Sequence, residues 1–143
     1  DNSYDFDNVK LQAERAVLTH DIEQFPDKFH TVIGERGVVL SGGQKSRLSL
    51  ARALYKDFQC LILDDVFAAV DHHTEKKLIE EVMSLKDCIK IIISHRISAL
   101  VPCDQILIIE HGQIVDRGRH QSLLNSNSQY KYAWEYQELM QTS

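Results

Sequence analysis

Apolar residues follow two different periods along this 143-residue chain, and the change between them divides it. Val9, Ala13, Ala16 and Val17 recur near helical spacing, so a helix is expected from Val9 to about His20, with Asp7 or Asn8 as its cap. A short helical turn through Ile22 and Phe25 ends near Pro26. Thr31 to Gly37 reads as a loop in which Gly34 and Gly37 frame Glu35-Arg36. Leu48, Leu50, Ala51 and Leu54 then mark the buried side of a helix from about Gly42 to Tyr55.

Beyond this helix the pattern becomes strand-like. Cys60–Leu63 is a continuous apolar run and Ile89–Ile93 a second, interrupted only by Lys90, both expected as buried strands on either side of an amphipathic helix from His72 to Leu85. A short helix precedes Pro102, and Gln105–Ile109 and Gln113–Arg117 flank His111-Gly112, a tight turn between antiparallel strands. Two more helices are expected near Gln121–Asn125 and Gln129–Met140, the second supplying apolar area through Tyr132, Trp134, Tyr136 and Leu139. Buried strands alternating with helices predict an α/β layer fold.

Composition narrows the classes. Hydrophobic residues make up 43% and charged residues 26%, as in soluble globular domains. A net charge of −5 argues against non-specific binding to nucleic acid or to an anionic membrane surface. The longest apolar runs fall far short of the roughly 20 residues that span a bilayer. Cys60, Cys88 and Cys103 are odd in number and widely spaced, which suits reduced, partly buried thiols better than a disulfide framework. The histidines form no H-E-x-x-H or Cys/His cluster, and His72-His73 reads as a polar surface pair. The first residue is Asp1 and no signal peptide follows, so a piece of a longer chain is expected.

Candidate chemistry begins at Leu40-Ser41-Gly42-Gly43-Gln44. Serine, two glycines and glutamine where a helix begins make a backbone-lined anion site, because the helix start offers unpaired N–H groups and partial positive charge. Ser41 can cap the helix and also donate its hydroxyl, while Gln44 can reach a ribose or phosphate oxygen. Read alone, the same residues are equally an ordinary polar loop before a helix. The strand at Cys60–Leu63 ends in Asp64-Asp65, at the sheet edge where α/β folds bind ligands. There one carboxylate can hold hydrated Mg²⁺ and the next can act on water, although a plain polar strand end would look the same. His95 ends the next strand in the same way, and a lone histidine there would ordinarily be structural.

Taken together, Leu40–Gln44, Cys60–Asp64, Asp71 and His95 resemble the catalytic half of an ATP-binding cassette nucleotide-binding domain. The likeness extends over nearly the whole chain. Gly34-Glu35-Arg36-Gly37 is similar to the segment that precedes the signature in exporters, Ala68-Ala69-Val70-Asp71 to the D-loop, and Ser94-His95-Arg96-Ile97-Ser98 to the switch-histidine loop. Gly112-Gln113-Ile114-Val115 and Gly118-Arg119-His120 are similar to the exporter C-terminus. The resemblance implies a P-loop NTPase-like partial core, with parallel strands and flanking helices over residues 58–143, preceded by part of the helical signature subdomain over 1–57.

The resemblance also implies ATP and Mg²⁺, a second nucleotide-binding domain as partner, transmembrane domains, and a place at the cytoplasmic face of a membrane, with no nucleic acid. By position, Asp64 would hold Mg²⁺ through water and Asp65 and His95 would serve catalysis. Ser41, Gly42, Gly43 and Gln44 would meet the partner's ATP, and Asp71 would communicate across the dimer.

Two departures qualify this. Asp65 stands where the family usually has glutamate, one methylene longer, and Ala68 stands where serine is common. With an intact signature, that combination resembles the slow-site half of a heterodimeric exporter. Second, no G-x-x-x-x-G-K-S/T sequence occurs in the 143 residues, so the chain alone is expected to be inactive and to bind ATP weakly. Two rival readings are a soluble ATPase of the same superfamily in DNA repair or translation, and a non-catalytic regulatory or dimerisation module. Arg96 after His95 and Gly118-Arg119-His120 favour the exporter.

Overall fold

Asp5, rather than Asp7 or Asn8, starts the first helix. Its carboxylate accepts hydrogen bonds from the N–H groups of Asp7 at 3.0 Å and Asn8 at 3.1 Å, and α1 runs Phe6–Arg15 in this computed structural model, which describes residues 4–35 and 37–141. The single helix expected as far as His20 is instead two, α1 and α2 (Thr19–Gln24), because Val17 takes a left-handed φ of 54°. That reversal lets Ala16 and Leu18 join Ala13 in the interior, which offsets the local strain of a β-branched residue in that region. α2 stops as expected before Pro26, with Phe25 extended. A 3-10 turn, Lys28–His30, follows, and Phe6 meets Phe29 edge-on at 5.5 Å between ring centroids.

Around Gly34 the chain closes on itself: the Val38 N–H donates to the Val32 carbonyl and the Gly34 N–H to the Val38 carbonyl. Gly37 sits so tightly on this turn that a Cβ would lie 2.1 Å from the Val32 oxygen, so only glycine fits. Arg36, part of the expected pre-signature segment, lies outside the described residues.

α3 spans Gly42–Leu54 and buries Leu50, Ala51 and Leu54. β1 (Cys60–Asp64), α4 (His72–Ser84) and β2 (Ile89–Ile93) then make a right-sized βαβ unit whose strands pair in parallel, Cys60 opposite Ile89 and Asp64 opposite Ile93. Leu61 and Leu63 point inward, and Phe67, Leu78 and Val82 are fully buried. The opposite face corrects the expectation of two buried strands. Ile62 is 63% exposed, and Ile89, Ile91 and Ile93 are exposed beside it. β1 and β2 are each other's only strand partners among the described residues, and this isoleucine face of the pair is open to solvent. Cys60 shares the exposure, which corrects its expected partial burial; Cys88 and Cys103 are half-buried, and all three are free thiols.

The chain divides into two compact units, Asp1–Ile93 and Ser94–Ser143. The packing boundary therefore follows β2, a different place from the 57/58 division expected from sequence. In the second unit a 3-10 turn (Ile97–Ala99) leads to the antiparallel hairpin β3 (Ile106–Glu110) and β4 (Gln113–Gly118). His111 and Gly112 both have positive φ, 49° and 77°, as a two-residue hairpin turn matching the strand twist requires. α5 (His120–Ser126) and α6 (Ser128–Gln141) close a small core of Ile97, Ile106, Leu123 and Tyr130. On α6 the expected apolar contribution of Tyr132, Tyr136 and Leu139 is absent, since all three are exposed; Trp134 makes the contact as expected, together with Tyr130 and Ala133. No helix among the described residues is long and apolar enough to cross a membrane.

Candidate functional site

Ser41 and Gln44 cap α3 reciprocally. The Gln44 N–H donates to Ser41 Oγ at 3.2 Å, and the Ser41 N–H donates to Gln44 Oε1 at 2.9 Å. Helix geometry leaves the N–H groups of Gly42 and Gly43 outside the intrahelical ladder, at the positive end of the helix dipole. Ser41 and Gly42 are exposed, and the Ser41 hydroxyl keeps its own proton for a further acceptor. Gln44, expected to reach outward to a ligand, is turned back on its own helix. Its Nε2 donates to Asp21 Oδ1 at 2.8 Å while its Oε1 holds Ser41.

Asp21 is a site residue that the sequence does not announce. Its second oxygen accepts from Arg47 at 2.8 Å, and Arg47 also reaches the carbonyls of Gly43, at 3.3 Å, and Val17. Both side chains are mostly buried, so the pair is shielded from solvent. The S-x-x-Q capping pattern is visible in sequence, but Asp21 lies 23 residues from Gln44 and 26 from Arg47, beyond any local signal.

The first unit brings this helix start against the segment 68–71. A Cβ on Gly43 would lie 2.4 Å from the Ala69 carbonyl oxygen, and one on Gly42 would lie 3.6 Å from the Ala69 side chain. Asp71 then caps α4, accepting from the Thr74 N–H at 3.0 Å and the Thr74 hydroxyl at 2.6 Å. These bonds, the hydroxyl first and the backbone N–H next, hold the Asp71 carboxyl down at about 2.

At the end of β1, Asp64 is exposed. Asp65 takes a left-handed φ of 50°, which Asp tolerates better than most residues. Its N–H donates to the Ile93 carbonyl at 2.8 Å and its own carbonyl accepts from Ala68 at 3.1 Å, while its Oδ1 is buried without a hydrogen-bond partner. Among the described residues no group of three His, Cys, Asp or Glu side chains gathers around a metal position. A single open carboxylate such as Asp64 does suit Mg²⁺, an ion that keeps most of its waters.

His95 belongs to the second unit and its side chain is exposed. Its loop is held from three sides. Ser94 Oγ accepts from the Arg96 N–H at 3.0 Å, the His95 carbonyl accepts from Gln137 Nε2 at 2.8 Å, and the Ile97 N–H donates to Gln137 Oε1 at 2.9 Å. In the same unit His120 Nδ1 lies 2.9 Å from the Tyr130 hydroxyl and the ring stands edge-on to Trp134. Burial pushes Tyr130 up to about 12 and pulls His120 down.

Residues 2–68 match the family model described as ABC transporter. ABC transporter B family member 6 of Dictyostelium discoideum is 44% identical over 128 residues, 89% of this chain and 19% of the relative. The ATP-dependent lipid A-core flippase of Haemophilus influenzae is 40% identical over 137 residues, 95% of this chain and 23% of the relative. Among solved structures, a bacterial Atm1-family ABC exporter with ATP bound superposes with a TM-score of 0.86 at 30% identity, covering 96% of this chain and 24% of the other. The chain thus spans about a fifth of the length of the curated relatives it matches.

Proposed function

Since the chain belongs to the nucleotide-binding domains of ABC exporters, we propose that its main task is to complete a partner domain's ATP site while its own site turns over slowly. The observation that carries this reading is a contrast within one unit. The start of α3 is fully built, with a reciprocal cap and the Asp21–Arg47 pair beneath it, whereas Asp65 has a carboxyl oxygen buried without a partner.

Ser41, Gly42 and Gly43 present a hydroxyl and helix-start N–H groups to the γ-phosphate of ATP held by the partner. Gln44 acts behind them by fixing Ser41. Residues 1–57 form the signature part, and 58–143 the ATPase core with its C-terminal helices. In the core Asp64 would hold Mg²⁺, and the ion would neutralise phosphate charge. His95 contacts the γ-phosphate of the chain's own site. Asp71 and the backbone at Ala69 pass the state of the signature helix across the dimer.

Asp65 is the weak element as a general base. It lacks one methylene relative to glutamate, and a misplacement near 1 Å costs about 10²-fold in rate. The exporter works at the cytoplasmic face of a membrane with transmembrane domains, and a heterodimer with a glutamate-bearing partner fits the contrast better than a homodimer. The same Asp65 geometry also favours, as the second reading, a module that holds the dimer without catalysis.

Asp65→Glu in the assembled transporter separates these readings when the two ATP sites are assayed individually. Turnover at this chain's own site should rise by about 10²-fold. Unchanged turnover there would overturn the slow-site reading and leave the non-catalytic module.

A further inference from the structure

A glutamine side chain carries one acceptor and one donor on a single rigid amide, and Gln137 uses both on the same loop. Its Nε2 donates to the carbonyl of His95 and its Oε1 accepts from the N–H of Ile97, at 2.8 and 2.9 Å. The two partners lie 42 and 40 residues away in sequence, so this is a deliberate tie between α6 and residues 94–97. Ile97 is itself anchored, its side chain buried with Ile106, Leu123 and Tyr130. Ser94 Oγ fixes the other flank through the Arg96 N–H. The backbone around His95 is thus held on both sides while the imidazole stands in solvent.

From this geometry we propose that Gln137 is a positioning residue for His95, and that α6 sets the orientation of the histidine through it. The proposal rests on the reading of His95 as the group that contacts the γ-phosphate. If the His95 carbonyl loses its donor, the 95–96 peptide keeps only the Ser94 bond at its N–H, and the imidazole samples directions that miss the phosphate. Terms that recognise the rest of the nucleotide do not pass through this loop. The role therefore shows as a loss of preference for ATP over ADP, with ADP binding unaffected.

The test measures ATP and ADP dissociation constants at this chain's own site in the full transporter assembled with its partner, under non-hydrolysing conditions. The variants are Gln137→Glu, Gln137→Met and His95→Ala. Glutamate keeps an acceptor for the Ile97 N–H but offers no donor to the His95 carbonyl, whereas methionine removes both. Loss of a hydrogen bond to a charged phosphate corresponds to about 10-fold or more in affinity. Gln137→Glu and Gln137→Met should each weaken ATP binding about 10-fold while leaving ADP within about 2-fold.

A merely structural role predicts otherwise: Gln137→Glu, with Ile97 still paired, would keep the ATP preference, and that result overturns the proposal even if Gln137→Met fails to fold. His95→Ala identifies a failure of the underlying reading. If it leaves the ATP preference intact, His95 is not the γ-phosphate contact and the inference falls with it. If it abolishes the preference while Gln137→Glu does not, only the role of Gln137 is wrong.

Discussion

Gly43 lies so close to Ala69 that a single added carbon would come within 2.4 Å of the Ala69 carbonyl oxygen. The obstacle is backbone, which cannot swing aside as the tip of a side chain could. The second glycine of Ser41-Gly42-Gly43 is thus there for the contact between the start of α3 and residues 68–71. The first glycine has room: a Cβ at Gly42 would make an ordinary contact at 3.6 Å.

Gly43→Ala should therefore destabilise the chain by about 1–3 kcal/mol through overpacking, whereas Gly42→Ala should change stability by less than about 0.5 kcal/mol. Urea unfolding midpoints of the two variants check this. Equal midpoints would mean that the close approach is not a constraint.

Asp21 bonds Gln44 with one oxygen and Arg47 with the other, and the pair is largely shielded from water. Removing one partner leaves the second charge without compensation, so Asp21→Ala should cost about 3 kcal/mol. A double-mutant cycle with Arg47→Met should return a coupling energy of about 1–3 kcal/mol. Additive effects in that cycle would show that the two side chains do not act together.

Asp71 titrates at about 2 because the Thr74 hydroxyl and N–H bond its charged form. A carboxyl depressed in the folded state stabilises the fold above the unfolded value, about 3.8, and that contribution disappears as pH falls through about 2. Thr74→Ala removes the larger of the two bonds. Its carboxyl midpoint, followed by NMR, should move up from about 2 toward 3.8, and the acid limb of the stability curve should become shallower between those values. A midpoint that stays near 2 would assign the depression to the backbone bond alone.

The parts of the fold legible in the sequence are those set by local chemistry. β2 falls on Ile89–Ile93 as read, α3 begins at Gly42 where the capping residues place it, and the hairpin turns at His111-Gly112. What escaped depends on distant partners. The left-handed Val17 that splits α1 from α2 is tolerated because Ala16 and Leu18 find an interior to fill, and no pattern within those residues says so. The strands β1 and β2 carry apolar residues on both faces, so their sequence cannot reveal that one face stays open. Ser41, Gly42, Gly43, Gln44, Asp64, Asp65, Asp71 and His95 are candidates that motif and spacing supply, the last of them in the second unit. Asp21, which bonds Gln44 and Arg47, and Gln137, which bonds the backbone of His95 and Ile97, escape sequence reading, because a lone Asp on α2 and a lone Gln on α6 carry no local sign of their targets.

The open isoleucine face of β1 and β2 also sets how this molecule should respond to its solvent. Contact through Ile62, Ile89, Ile91 and Ile93 is driven by release of water. Such contact strengthens with sulfate and weakens on cooling, whereas contact between charged surfaces is weakened by added salt. Samples of this chain should therefore keep best cold and in low concentrations of non-kosmotropic salt, conditions in which its least satisfied surface is least inclined to seek another.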